Sequence, residues 1–101
     1  MLNMRDFSEQ IYTQIANIPK GKVSTYGDIA NAIGYKGYAR QVGKCLSQLP
    51  SNTTLPWHRV INGQGKLSLT GERGLQQKAR LTEENIEISD NGRVNLRRYR
   101  W

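Results

Sequence analysis

The chain has 101 residues, 37% hydrophobic and 23% charged, with 15 Lys+Arg against 8 Asp+Glu and a net charge of +7. That balance suits one small globular domain with a single modest core, excludes a disordered chain, and points to a polyanionic partner. No apolar run approaches the roughly 20 residues of a membrane span. The opening MLNMRDFSEQ lacks the apolar region of a signal peptide, so a cytoplasmic location is expected. A lone cysteine, Cys45, excludes an internal disulfide and a cysteine-based zinc site, and a lone histidine, His58, argues against other metal centres.

In chain order, Phe7, Ile11 and Ile15 recur at helical spacing with Tyr12 and Ile18 beside them, which predicts an amphipathic helix over residues 4–17. Pro19 and Gly21 stop it. Ser24 or Thr25 can cap a second helix through TYGDIANAIG, with Asp28 in the first turn, where negative charge is favoured, and Gly34 at its end. YKGY is a short connection to a third helix, ARQVGKCLSQL, before Pro50. Two short helices joined this tightly fit a helix-turn-helix. SNTTLP is a polar loop, and VINGQGKLSL reads as a hairpin turning at NGQG. A helix over residues 74–84 follows, with Leu75, Ala79 and Leu81 as its apolar positions. IEISDNGRVNL then reads as a second hairpin around Asp90-Asn91-Gly92. The predicted fold is mainly α with short β-hairpins, a winged helix-turn-helix in a single domain spanning residues 1–101. The ending RRYRW, residues 97–101, is expected either to be flexible or to line a pocket.

Four groups of residues carry chemistry. On the third helix Arg40, Gly43, Lys44 and Ser47 share a small, basic face. Gly43 serves either close entry into a groove or close helix packing, since a mid-helix glycine costs about 1 kcal/mol relative to alanine. Cys45 in the same helix reads as a small core residue rather than a reactive thiol. His58, beside Arg59, can act as a general base oriented by Glu83 or Glu84, or can bridge its loop to the core. No serine or cysteine stands near it in a nucleophile motif. RRYRW offers arginines for phosphates and aromatics for stacking, or forms a solvated terminus.

The segments GKVSTYGDIA, YARQVGKCL and LPWHRVINGQGKLSLTG together resemble the DNA-binding domain of the O6-alkylguanine-DNA alkyltransferases, over residues 7–86. In that family the residue between proline and His-Arg-Val is the cysteine that accepts the alkyl group from a flipped guanine. Here it is Trp57, so the chain resembles the alkyltransferase-like subset, which binds the lesion without repairing it. The resemblance implies that Tyr26 rotates the target phosphate and that Arg40 enters the duplex through the minor groove to fill the vacated place. Ala39, Gly43 and Lys44 would face that groove, and Thr25, Tyr35 and Gly63 are expected on the DNA-binding surface as well. Tyr26, Trp57, Arg59, Val60, Thr70 and Gly71 would form the lesion pocket, and His58 and Glu84 a vestigial proton relay. Two positions depart from the pattern. Leu49 stands where an asparagine usually ties the helix to the active-site loop, and Thr70 stands where many members place a tyrosine over the alkyl group.

The expectation is therefore a non-enzymatic sensor, acting as a monomer on double-stranded DNA containing O6-alkylguanine. It needs no cofactor, metal or membrane, associates with the nucleoid, and by resemblance signals to nucleotide-excision-repair proteins. Two alternatives are a sequence-specific winged-helix transcription regulator and an alkyltransferase that uses Cys45.

Overall fold

The computed structural model describes residues 3–101. Helix α1 spans Met4–Ala16 and starts where the Asn3 side chain accepts the N–H groups of Arg5 and Asp6 at 3.0 and 3.4 Å. Those bonds satisfy donors that a helix start leaves unpaired. Phe7, Ile11 and Ile15 form its fully buried stripe. Of the two candidate caps for the next helix, Thr25 is the one used. Its hydroxyl accepts the Asp28 N–H at 3.0 Å, and α2 runs Tyr26–Ala32. The helix ends at Gly34, whose φ of +84° is left-handed. The N–H groups of Gly34 and Tyr35 donate to Asn31 and Ala30, closing the last turn in a Schellman arrangement. Helix α3, Ala39–Ser47, packs against α2 and α1. Val42, Cys45 and Leu46 face inward and meet Phe7, Ile11 and Ile29 in the larger of two buried clusters.

The segment after Pro56 departs from the expected hairpin. A 3-10 turn, Trp57–Arg59, leads into β2, Val60–Ile61, which pairs in parallel with β1, Ser24–Thr25, in the register Ser24 to Val60 and Thr25 to Ile61. Val60 and Ile61 are both 1% exposed. Two adjacent buried apolar residues suit a strand covered on both faces, as in parallel pairing, and not the alternation of a half-solvated hairpin. The NGQG stretch does turn. Asn62 Oδ1 accepts the N–H groups of Gln64 and Lys66 at 3.0 and 2.9 Å, which folds the chain locally without a returning strand. Residues 65–67 instead meet the second predicted hairpin, through bonds from Leu67 to Gly92 and from Val94 to Gly65 and a bridge between Lys66 and Arg93. Gly65 has φ +78°, and a Cβ there would lie 2.7 Å from the Val94 carbonyl, so glycine is required. The hairpin around Asp90-Asn91-Gly92 forms as a tight turn with one antiparallel bridge, Ile88 to Val94.

Helix α4, Gly71–Glu83, begins three residues before its predicted start, and of the three apolar positions expected to face inward Leu81 alone does so. Leu75 is 74% exposed and Ala79 is also exposed, whereas Arg73, Gln77, Leu81 and Glu84 turn toward the protein. The reason lies in what the helix covers. It lies over the Trp57–Val60 backbone and the end of α3, where carbonyl groups need donors. Gln77, 1% exposed, donates to the carbonyls of His58 and Val60 at 3.3 and 3.1 Å. The ending forms a short helical turn, α5, Leu96–Tyr99, and then runs beside Val23. Val23 N–H donates to Tyr99 O, and Trp101 N–H to Val23 O, at 2.9 and 2.8 Å. Tyr99 is buried in the second cluster with Val23, Ile61 and Leu81. The ending is thus bonded into the fold by backbone and ring.

Candidate DNA-lesion site

A cavity of about 100 Å³ opens between α3, the Trp57 turn and the start of α4. Tyr26, Gly43, Leu46, Ser47, Trp57, Leu69 and Arg73 line it, mostly with apolar surface. Trp57, 6% exposed, forms part of the wall. Two guanidinium groups, Arg73 and Arg80, each lie 5.4 Å from its ring centroid. They sit seven residues apart on α4, on one helix face, so the helix holds the indole by cation–π contact at two points. Tyr26 stands half-buried in the first turn of α2, and burial raises its pKa, which keeps the phenol neutral and able to donate. Gly43 lies across from it. A Cβ at 43 would sit 3.8 Å from the Tyr26 ring, an ordinary contact, so packing does not demand a glycine there. The missing side chain instead leaves room in the cavity.

Arg73 brings a charged group into this lining. Its Nη1 donates to Leu46 O at 3.2 Å and its Nη2 to Leu49 O at 2.6 Å, which ties α4 to the last carbonyls of α3 and the residues after it. Leu49 itself points into the core, 8% exposed. The end of α3 is thus tied to α4, by a residue with no motif to mark it.

Behind the cavity is a second, polar arrangement centred on Glu84. Its carboxylate accepts from His58 Nε2 at 2.7 Å, Arg59 Nη2 at 2.9 Å, Arg59 Nε at 3.0 Å and the Gly21 N–H at 3.0 Å. Arg59 Nη1 continues to Ile18 O at 2.8 Å. Burial alone would raise the Glu84 pKa, but bonds from Arg59, Gly21 and His58 outweigh it and bring the carboxyl to about 2. Burial lowers the His58 pKa, with Glu84 opposing. A neutral ring donating from Nε2 leaves Nδ1 as an acceptor, and that atom is buried without a partner. No thiol adjoins it. Cys45, 4% exposed, belongs to the core cluster on α3, where its Sγ lies 3.5 Å from Ser8 Oγ, and it does not line the cavity.

The residues singled out from sequence fall into three places. Tyr26, Gly43 and Trp57 meet at the cavity. Arg40 and Lys44 project from the exposed side of α3, with Ala39 half-buried beside them and Gly63 in the exposed turn after β2. The remainder lie elsewhere. Thr25 is 2% exposed with its hydroxyl engaged as a cap, and Tyr35 packs edge-on against Phe7 and Tyr38 at 5.0 and 5.5 Å. Val60 is buried in β2, and Arg59 belongs to the Glu84 arrangement. Thr70 and Gly71 are exposed at the start of α4, outside the cavity lining. Leu69 and Arg73, on either side of them in sequence, take up that wall, because α4 begins a turn early and directs residue 70 to solvent. Leu46, 6% exposed, belongs both to the core cluster and to the cavity wall. Ser47 was legible on the small face of α3, three and four residues from Lys44 and Gly43.

The profile of the family described as 6-O-methylguanine DNA methyltransferase, DNA binding domain, matches residues 6–86. The chain belongs to this family. It is 55% identical over 98 residues to the DNA base-flipping protein of Vibrio parahaemolyticus, covering 97% of this chain and 98% of that one. It is 43% identical over 108 residues to Alkyltransferase-like protein 1 of Schizosaccharomyces pombe, covering 99% and 98%. The crystal structure of S. pombe Atl1 in complex with damaged DNA containing O6-carboxymethylguanine superposes with a TM-score of 0.90 at 42% identity, over 99% of this chain and 98% of that one. The mainly helical fold, with its helix-turn-helix and two-stranded sheet, is the fold of this family's DNA-binding domain.

Proposed function

We propose that this chain recognises O6-alkylguanine in double-stranded DNA without chemistry. It approaches from the minor groove, turns the damaged nucleotide out of the stack, and holds the base against Trp57. The observation that carries this reading is the cavity itself: a tyrosine and a glycine at its sides, an indole in its wall, and no cysteine in its lining. Placing an indole where the alkyltransferases carry their acceptor cysteine leaves His58 and Glu84 with no thiol to deprotonate. The names of the relatives, a base-flipping protein and an alkyltransferase-like protein, support the same reading.

Eversion costs a few kcal/mol, less where damage has already weakened the pair. Arg40, exposed on α3, fills the vacated place, and the small surface at Ala39 and Gly43 lets the helix lie in a narrow groove. Tyr26 donates toward the strand being rotated. Apolar burial and stacking on Trp57 offset what remains. The protein acts as a monomer, searches nucleoid DNA by phosphate contacts, and leaves a stable complex that marks the lesion for nucleotide excision repair. In cells lacking the excision-repair incision step, loss of this chain should add no further sensitivity to an alkylating agent; added sensitivity would reject that hand-over.

Binding is tested by competition between O6-methylguanine and undamaged duplexes of several sequences. A preference that follows the lesion in every sequence context is expected. One that follows sequence and ignores the lesion would make the chain a transcription regulator.

A further inference from the structure

We propose that Trp101 and Arg97 extend the DNA-contacting surface beyond the lesion cavity, packing on the sugar–phosphate backbone of the duplex arm beside the everted nucleotide. This rests on DNA being the partner, as above. The ending RRYRW divides cleanly by what its side chains already do. Tyr99 is 7% exposed, and its hydroxyl accepts the Glu87 N–H at 3.1 Å. Arg98 pairs with Glu87 at 3.2 Å and lies 5.1 Å over the Tyr99 ring. Arg100 Nε reaches Asp28 Oδ2 at 2.9 Å. These three are committed to the fold. Arg97 is exposed and, among the described residues, has no carboxylate partner. Trp101 is held at its backbone by Val23 yet leaves its side chain 46% exposed.

The register decides where that indole sits. Val23 pairs with Arg100 in parallel, so Trp101 lies alongside Ser24, on the strand that runs into Tyr26. An aromatic group fixed at its backbone thus adjoins the segment that carries one wall of the lesion cavity. The local charge favours a polyanion over a protein partner. Arg100 neutralises Asp28, the acidic residue in the first turn of α2, while Lys22 and Arg97 remain exposed. An indole that packs on deoxyribose, with an arginine on the neighbouring phosphate, fixes position on a duplex without reading sequence. The contact is accordingly blind to the lesion, unlike those of Arg40 and Trp57.

The test measures binding of the full chain and its Trp101→Ala, Trp101→Phe and Arg97→Ala variants to O6-methylguanine and undamaged duplexes across a salt series. Thermal unfolding of each variant confirms that it is folded. Trp101→Ala should weaken binding to both duplexes by the same factor, about fivefold, the scale of one partly buried aromatic contact. Trp101→Phe should keep most of the affinity. Arg97→Ala should reduce the slope of log affinity against log salt by about one. Wild-type affinity for both duplexes in Trp101→Ala and Arg97→Ala would overturn the proposal and leave this patch to a protein partner. Loss confined to the damaged duplex would also overturn it, by making Trp101 part of the lesion site. A wild-type chain with no preference for the lesion would instead reject the function proposed above, and the comparison of variants on undamaged DNA would still be decided.

Discussion

The turn Trp57–Arg59 has two sides built on opposite principles. Trp57 faces a cavity that is apolar, open and only partly filled, with Arg73 as the charged group in its lining. His58 and Arg59 face a carboxylate that is buried, and every oxygen of it is bonded. One side presents an apolar recess, and on the other the polar groups are committed to one another. The contrast shows how His58 and Arg59 can be fixed by the fold while their neighbour Trp57 stays open to a ligand. His58, Arg59 and Glu84 join the 57–59 turn, the end of α4 and the loop through Ile18 and Gly21. These bonds give all three side chains a structural role that requires no proton transfer.

Substitutions should separate the two sides. The largest effect is expected from Glu84→Ala, which strands Arg59 and His58 without their partner; breaking such a buried pair costs about 3–5 kcal/mol. Urea unfolding reads this directly, and a change under 1 kcal/mol would remove the carboxylate from the centre of the fold. Arg73→Ala should cost about 1.5–3 kcal/mol, the range for hydrogen bonds to a charged group, and should also lower lesion affinity as the end of α3 loosens. If stability fell while lesion binding held, the tie would be structural only. Arg40→Ala should leave stability within about 0.5 kcal/mol, as an exposed position, while weakening binding to damaged duplex more than to undamaged. Equal losses would reduce Arg40 to a phosphate contact. Gly43→Ala is the finest probe. It should stabilise α3 by up to about 1 kcal/mol, since the methyl group fits beside Tyr26, yet reduce selectivity for the lesion by filling the cavity.

Acid should act on the bonded side first. His58 has a folded pKa below its ordinary 6.5, so the unfolded chain takes up the proton more readily. Stability is complete above that value and declines as pH falls through it. Glu84, held at about 2 against an ordinary 4.5, adds a second decline between those limits. Denaturant midpoints should be level above pH 7 and fall in two stages, with His58→Gln removing the upper one. A midpoint that rises on acidification would contradict both assignments.

The helices of the first half were legible because apolar periodicity and caps are local signals, as with Phe7, Ile11 and Ile15 or the threonine before Tyr26. The pairing of Val60–Ile61 with Ser24–Thr25 was not, because two strands separated by more than thirty residues leave no mark in either one's own pattern. Helix α4 misled for a different reason. Of its predicted apolar positions Leu81 is buried but Leu75 and Ala79 are exposed, because arginine, glutamine and glutamate share the inner side and satisfy backbone carbonyls and side chains of the turn beneath. The site followed the same division. Tyr26, Gly43 and Trp57 were found through motif and spacing, whereas Leu69 and Arg73 line the cavity only because of where α4 begins.

Binding and the absence of transfer are both read in one experiment. The chain is mixed with an O6-methylguanine duplex under conditions where the complex is formed and competes against excess undamaged duplex, and the protein is then weighed intact. A lesion-selective complex and an unchanged protein mass are expected, with the methyl group still on the DNA. A protein heavier by one methyl group, with guanine restored in the duplex, would contradict it.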